Sequence, residues 1–316
     1  MKISMLFPET SRLETVRELA VRSEEQGFHG LWLGSAFGFD PIMALALAGS
    51  STRSIQLGVA VVPTWPRHPI VMAQQAATAT AACGGRFRLG IGPSHEPVMR
   101  MYGIDFDRPI SHLREYLEIV RALLLDGKVT HTGERYQVMG FLDVEGATPS
   151  APVLIGVLRP QMARLAGSHS DGALCWVGPA SYLHEVVGPA MAAGAASVGR
   201  TTPPLVAELP CALTADRDAV HEMAARDLAI YPQMPFYRAM LEAAGVTLEG
   251  RKWTDSMIDA AVLYGDEDTL AAKVQALFDA GADEVALSPF GVGDQPAASQ
   301  ADCIRVLSDL AREPSE

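Results

Sequence analysis

The chain has 316 residues, of which 48% are hydrophobic and 20% are charged, and its formal net charge at pH 7 is −12. This composition supplies a large core, and the acidic balance argues against nucleic acid as a partner because no basic stripe is present. No run of about 18 apolar residues occurs, so we expect no membrane span.

Four cysteines lie far apart in the chain, at Cys83, Cys175, Cys211 and Cys303, without the spacing of metal ligands. We expect them to be free thiols in a reducing compartment. Met1 leads directly into a strand-like segment, so we expect no signal peptide and a cytoplasmic location.

Short apolar segments alternate with helical patterns along the chain. Strands are predicted over residues 2–7, 30–33, 55–62, 87–91, 153–156, 173–177, 205–213 and 284–288. Many are apolar on both faces, as a parallel sheet buried on both sides requires. Helices are predicted over residues 13–23, 41–48, 69–82, 113–124, 160–168 and 268–280, and also after Pro179.

Eight strands that alternate with helices, in a chain of this length, favour an α/β fold of the (β/α)8 TIM-barrel type over a doubly wound sheet. We expect a single domain over residues 1–316, with a helical insertion at about 216–262 beside strand seven. Residues 130–138 predict a small hairpin, residues 291–300 a loop, and residues 303–312 a closing helix.

A barrel of this type places its functional site at the carboxyl ends of the strands. The fourth strand ends at Gly90 and Gly92, which remove side chains where another backbone or a flat ligand comes close. Pro93, Ser94 and His95 follow, and His95 is a candidate reactive group. The rim is rich in aromatic and small residues, without paired acids, clusters with metal-ligand spacing or a nucleophile elbow. It suits a flat aromatic cofactor better than hydrolysis or metal chemistry.

An anion site is predicted after the fifth strand. Arg159 precedes Pro160, and proline at the first helical position leaves free backbone N–H groups at the start of the helix. Arg159 adds a fork-like donor. A solvated arginine at an ordinary helix start is the alternative.

These segments together resemble a known family. The most telling ones are 57–64, Arg67-His68-Pro69, 84–87, Gly90-Ile91-Gly92-Pro93, and Leu165-Ala166-Gly167 with Asp171-Gly172. Over nearly its full length the chain resembles the luciferase-like flavin and deazaflavin oxidoreductases, also called the luciferase-like monooxygenase superfamily. The Arg-His-Pro and Gly-Ile-Gly-Pro segments are most similar to the branch that uses coenzyme F420. That branch includes methylenetetrahydromethanopterin reductase and F420-dependent glucose-6-phosphate dehydrogenase.

The resemblance implies roles for individual residues. A cis peptide between Ala60 and Val61 would back the deazaflavin ring, and His95 stands where relatives carry an acidic residue close to the reacting carbon. The cofactor-binding residues implied by the resemblance and the anion site are Ser35, Ala60, Val61, Pro63, Pro93, Ser94, Val157, Leu158, Arg159, Pro160, Gln161 and Met162. Phe37, Trp65 and Trp176 are candidates for the substrate pocket, with core packing as the alternative for the two tryptophans.

Two departures from the family pattern affect the expected activity. Ser35 and Ala36 stand where related dehydrogenases often carry an Asp-His pair, so the sugar-phosphate dehydrogenase mechanism does not carry over. Leu158 and Arg159 stand where relatives usually carry glycine.

The resulting hypothesis is an F420-dependent oxidoreductase that transfers a hydride between the deazaflavin and a small, apolar organic substrate. An FMN-dependent monooxygenase is the first alternative, because the fold binds FMN in the same place. A cofactor-binding protein without turnover is an alternative from another class, and a barrel hydrolase is the third. Relatives are commonly dimers, so a homodimer is expected.

Overall fold

The structure is a computed structural model that describes residues 1–7, 12–35, 38–147 and 150–312. Its strands are β1 Ile3–Phe7, β2 Gly30–Leu33, β3 Gln56–Pro63, β4 Phe87–Gly92, β5 Lys128–Thr132, β6 Gln137–Phe141, β7 Val153–Gly156, β8 Gly172–Trp176, β9 Leu205–Leu213, β10 Leu263–Gly265 and β11 Glu284–Pro289.

The helices lie between the strands. They are α1 Leu13–Glu25, α2 Pro41–Gly49, α3 Pro69–Ala82, α4 Glu96–Met101, α5 Pro109–Asp126, α6 Pro160–His169, α7 Ala180–Tyr182, α8 Gly188–Ala196, α9 Arg217–Asp227, α10 Pro235–Ala243, α11 Asp255–Ala261, α12 Glu267–Asp279 and α13 Pro296–Arg312. A π-helical turn, Leu183–Val187, joins α7 to α8, and a 3-10 turn, Tyr231–Gln233, precedes α10.

Eight of the strands close into a parallel barrel. Their order around the barrel is β1-β2-β3-β4-β7-β8-β9-β11, and β11 pairs again with β1. The predicted (β/α)8 barrel and its eight strands are therefore confirmed. The predicted hairpin is also confirmed, as the antiparallel pair β5–β6.

Three elements differ from the sequence-based expectations. Helix α13 begins at Pro296 instead of Cys303, because its first two turns have no buried side chain and therefore no apolar stripe to reveal them. Helix α4, which follows His95 directly, was not predicted. One short strand that was not predicted, β10, pairs in parallel with the end of β9 outside the ring of eight barrel strands.

The amino ends of the strands are joined inside the barrel by a buried ion pair. The guanidinium of Arg88 on β4 donates two hydrogen bonds to Glu284 on β11, at 2.5 and 3.1 Å. Glu284 Oε1 also accepts hydrogen bonds from Ser4 Oγ at 2.6 Å and from Trp32 Nε1 at 2.8 Å. These donors hold the pKa of Glu284 below its ordinary value although burial opposes them. One carboxylate thus links β1, β2, β4 and β11.

Trp32 fills the barrel above this pair. Its indole lies against Gly58, where a Cβ would come within 2.3 Å of the ring, and the Arg88 guanidinium stacks over it at 4.1 Å. Leu6, Leu154, Leu174, Val206 and Ala286 complete the same interior layer. The lower and middle barrel is therefore solid.

All four cysteines are free, as predicted, and all four are buried. Within the described ranges, no helix combines the length and the apolar character that crossing a membrane requires.

The Arg88–Glu284 pair gives a test of the fold. Replacement of Arg88 by Met leaves a buried carboxylate without its cation, so the free energy of unfolding should fall by about 3–5 kcal/mol. Urea denaturation at neutral pH measures this change. The matched control is Arg305→Met, which breaks the exposed pair between Arg305 and Glu267 and should leave the urea midpoint unchanged. Equal stability of Arg88→Met and wild type would contradict the importance of the pair.

Candidate active site

A cavity of about 1510 Å³ opens above the solid layer, at the carboxyl ends of the barrel strands. The strand ends form its floor and walls, and the segment from α9 to α10 covers it with Leu228, Ile230, Tyr231, Met234, Phe236 and Tyr237. Its volume exceeds the roughly 300–1,000 Å³ typical of small-ligand pockets. The cavity therefore has room for a cofactor of about the size of a dinucleotide.

Most of the residues predicted for the site line this one cavity. They are Ser35, Ala60, Val61, Pro63, Pro93, Ser94, His95, Val157, Leu158, Arg159, Pro160, Gln161, Met162 and Trp176. Because β2, β3, β4, β7 and β8 are consecutive around the barrel, the segments that follow them meet on one side of it.

One predicted substrate residue, Trp65, does not join this group. Trp65 is absent from the cavity lining: its ring stacks on His112 with centroids 3.6 Å apart, and it packs behind Phe106, which does line the cavity. Trp65 is half-buried in this aromatic contact. Phe37 lies outside the residues that the structure describes, as does Ala36.

The β3 wall has an irregular backbone. The peptide between Ala60 and Val61 is cis, as the resemblance implies, and the pairing with β4 shifts register between Val59 and Val62. The side chain of Val61 lies 3.1 Å from where a Cβ on Gly92 would be and 3.6 Å from one on Gly156. A Cβ on Gly90 would lie 2.0 Å from the carbonyl oxygen of Val59. The glycines at the strand ends therefore make room for the bulged β3 chain.

His95 stands at the start of α4, above the end of β4. Ser94 adopts the left-handed conformation (φ 63°), and His95 returns to an extended one before the helix begins. The Nδ1 atom of His95 is buried and has no hydrogen-bond partner among the described residues. Its ring centroid lies 5.4 Å from that of Tyr237. Burial lowers the pKa of His95, so its imidazole is neutral near pH 7.

The helix start that was predicted to bind an anion opens into the cavity. Arg159 is exposed and extended, and its side chain makes no capping hydrogen bond to α6. Pro160 occupies the first helical position, and the Tyr182 hydroxyl fixes the preceding loop by donating to the Leu158 carbonyl at 3.0 Å. No ion pair of the described chain uses Arg159. The helix start and the guanidinium are both free to meet an anion.

Glu208 on β9 is a cavity residue that the sequence analysis missed. It is 4% exposed, and its Oε1 atom is buried without a hydrogen-bond partner in the described chain. Burial raises its pKa to about 8, with the charge of Glu284 as a second cause and Arg88 opposing. A lone acid in the apolar strand Leu205–Leu213 was the available signal.

The covering aromatic residues were also missed. Tyr231 lies between Trp176 and Tyr237, with ring centroids 5.9 and 4.8 Å away. Tyr231 and Tyr237 come from the helical insertion, and the position of the insertion over the barrel depends on the tertiary fold.

The residues present fit a flat cofactor with an anionic tail. Two buried polar atoms of the lining lack partners in the described chain, namely His95 Nδ1 and Glu208 Oε1. A ring system with polar edges would satisfy such atoms, while the apolar lining would cover its faces. No group of three or more His, Cys, Asp or Glu residues in the described ranges is arranged to hold a metal ion.

Comparison with known proteins identifies the family. The luciferase-like monooxygenase family matches residues 1–284, so the chain belongs to that family. This confirms the family recognised from the sequence motifs.

Two curated proteins and one solved structure are similar to nearly the whole chain. The 5,10-methylenetetrahydromethanopterin reductase of Methanolobus tindarius is 27% identical over 304 residues, which cover 89% of this chain and 92% of the relative. An F420-dependent glucose-6-phosphate dehydrogenase of Amycolatopsis mediterranei is 26% identical, with 84% of this chain and 85% of the relative covered. The solved structure of an F420-dependent secondary alcohol dehydrogenase has the same fold, with a TM-score of 0.81 and 19% identity over 99% of both chains.

Proposed function

We propose that this protein is an F420-dependent oxidoreductase that transfers a hydride between the deazaflavin and a small, apolar organic substrate. The observation that carries the proposal is the convergence, on one cavity, of a bulged β3 wall and the free start of α6. Full-length relatives that use F420 support the choice of cofactor.

The residues of the chain would divide the binding between them. The backbone at Ala60 and Val61 would support one face of the ring, and Pro93 and Ser94 would border its edge. The start of α6, with Arg159, would hold the phosphate through backbone N–H groups and a charge-assisted fork. The deazaflavin supplies the hydride-transfer chemistry when it is bound. Tyr231, Phe236 and Tyr237 would exclude water from the site.

His95 would exchange the substrate proton. Its Nδ1 has no hydrogen-bond partner among the described residues and its imidazole is neutral near pH 7, so it can accept a proton at that atom when a substrate is oxidised. The reverse direction would return the proton from the same nitrogen.

The first experiment is a parallel titration of the purified protein with oxidised F420 and with FMN. Trp176 lines the cavity, so quenching of tryptophan fluorescence should report binding. We expect a dissociation constant for F420 of about 1 μM or below, a free energy near −8 kcal/mol, and much weaker binding of FMN. A preference for FMN together with oxygen consumption would instead identify a monooxygenase. Failure to bind either compound would leave only the barrel.

Arg159→Ala tests the phosphate site. Loss of a charge-assisted hydrogen bond costs about 1.5–3 kcal/mol, so the dissociation constant of F420 should rise about 10-fold to 100-fold. The deazaflavin fragment that lacks the phosphate should bind both proteins equally. Arg164→Ala is the control, because Arg164 is exposed on the same helix but does not line the cavity. Equal weakening by both variants would contradict a specific phosphate contact.

His95→Ala tests the proton exchange with any small apolar secondary alcohol that reduces the F420-loaded protein. The rate should fall by about 10²–10⁴ while the affinity for F420 stays within about threefold. Because the neutral imidazole is the base, the wild-type rate should fall as the pH drops below about 6.5 toward the lowered pKa of His95. The His95→Ala variant should not show this fall of the rate at low pH. If the fall persists in the variant, another group is responsible for it.

A further inference from the structure

Glu208 lies in the interior of the barrel and faces the cavity from below. Val206, two residues earlier on β9, belongs to the interior layer around Trp32. Since side chains alternate along a strand, Glu208 occupies the next interior position toward the carboxyl end. In register it pairs with Trp176 on β8 and Ala286 on β11.

The barrel order places Glu208 opposite the β3 wall. In the closed ring of eight strands, β9 is four positions from β3 in either direction. A ring supported by Ala60 and Val61 therefore leaves Glu208 on the far side, in the part of the cavity that remains for the substrate.

No cation of the described chain forms an ion pair with the Glu208 carboxyl. The positive charge of Arg88 acts on the Glu208 carboxyl, but Arg88 already forms an ion pair with Glu284, in which Arg88 Nη1 lies 2.5 Å from Glu284 Oε2. Glu208 forms no ion pair in the described chain, and its Oε1 atom has no hydrogen-bond donor or acceptor there. A buried carboxyl in this position is stable when it keeps its proton, and a neutral carboxyl donates a hydrogen bond.

We propose that Glu208 is a substrate-specificity residue that donates a hydrogen bond from its protonated carboxyl to a neutral oxygen of the substrate. The substrate class is then an apolar carbonyl compound or alcohol whose oxygen enters the barrel end first. A substrate with a carboxylate or phosphate at that end would be excluded, because nothing at the floor balances a second acidic group. This inference rests on the proposed function, which assigns the β3 side to the cofactor ring.

The other titratable groups around Glu208 are Glu284, Arg88, Cys175, Tyr231 and Tyr237. The pKa of Glu284 is lowered, and the pKa values of Cys175 and both tyrosines are raised by burial. These four groups keep their charges from about pH 6 to about pH 9, and Glu208, with a pKa of about 8, changes its charge within that range.

Binding of cyclohexanone tests the proposal in wild type, Glu208→Gln and Glu208→Leu, with and without F420. Cyclohexanecarboxylate is the anionic probe of the same shape. For wild type we expect cyclohexanone to bind at least about 10-fold more tightly than the carboxylate at pH 6, and to weaken about 10-fold by pH 9. Glu208→Gln keeps a donor that cannot ionise, so its affinity for the ketone should be close to that of wild type at pH 6 and independent of pH. Glu208→Leu should lose the affinity at every pH.

Equal binding of cyclohexanone to wild type and Glu208→Leu would overturn the proposal. So would a wild-type affinity that does not change with pH, equal binding of the two probes, or no ketone binding up to the solubility limit. The affinity for F420 separates this failure from that of the proposed function. Both Glu208 variants should bind F420 within about threefold of wild type, whereas loss of F420 binding by wild type itself would refute the cofactor assignment.

A stability measurement provides the readout that does not depend on any ligand. The folded state holds the Glu208 proton up to about pH 8, whereas the unfolded chain releases it near pH 4.5. The folded state therefore binds more protons in this window, so the stability of wild type should fall relative to Glu208→Gln as the pH rises from about 5 to about 8. Parallel stability profiles of the two proteins would show that Glu208 is ionised in the fold and would overturn the proposal.

Discussion

The carboxylate of Glu284 determines which end of the barrel can hold a ligand. It accepts hydrogen bonds from Ser4, Trp32 and Arg88, and so it ties four strands together at their amino ends. A buried ion pair repays its desolvation only with good geometry and further hydrogen bonds, and this pair has both. The Arg88–Glu284 pair fills the amino end of the barrel and Trp32 fills its middle. The open space of the barrel is therefore confined to the carboxyl ends of the strands.

The shape of that open space follows from where side chains are missing. Gly58 accommodates the face of the Trp32 indole, and Gly90 lets the Val59 carbonyl approach β4. The bulge on β3 turns Val61 toward Gly92 and Gly156, so two glycines on neighbouring strands are matched to one side chain. A wall of this kind presents backbone and small side chains to the cavity, which is what close approach of a flat ring requires. The same contacts explain why the strand ends carry glycine.

Much of this arrangement could be predicted from the sequence, because barrel strands are buried on both faces and therefore read as short apolar runs. Once the strands are known, the rule that sites lie at their carboxyl ends selects Pro93, His95 and Arg159 without any structure. Elements without an apolar signal escaped prediction, such as the exposed first turns of α13. A sequence does not distinguish a Trp65 that stacks on His112 from one that lines a pocket, because both environments accept an aromatic ring.

The position of Glu208 could not be predicted from the sequence for a different reason. Whether an acid within an apolar strand faces the interior or the helices depends on the register of that strand, which only the closed barrel fixes. The aromatic cover depends on how the insertion folds back over the strands. Both features are non-local, whereas the motifs that identified the family are local.

The cavity is electrically asymmetric, and this asymmetry orients a ligand. Arg114 and Arg159 line it and are exposed, in a chain whose net charge is −12. Arg108 and Arg226 also line it, but each is paired with carboxylates, and one of these, Asp227, lines the cavity too. Two helix starts, those of α5 and α6, also open into it, and each adds partial positive charge. At the floor, by contrast, the nearest ionisable group is a carboxyl kept neutral by burial. A ligand with one anionic end and one uncharged end therefore gains most when the anionic end stays at the rim and the uncharged end enters the barrel, between the β3 wall and Glu208.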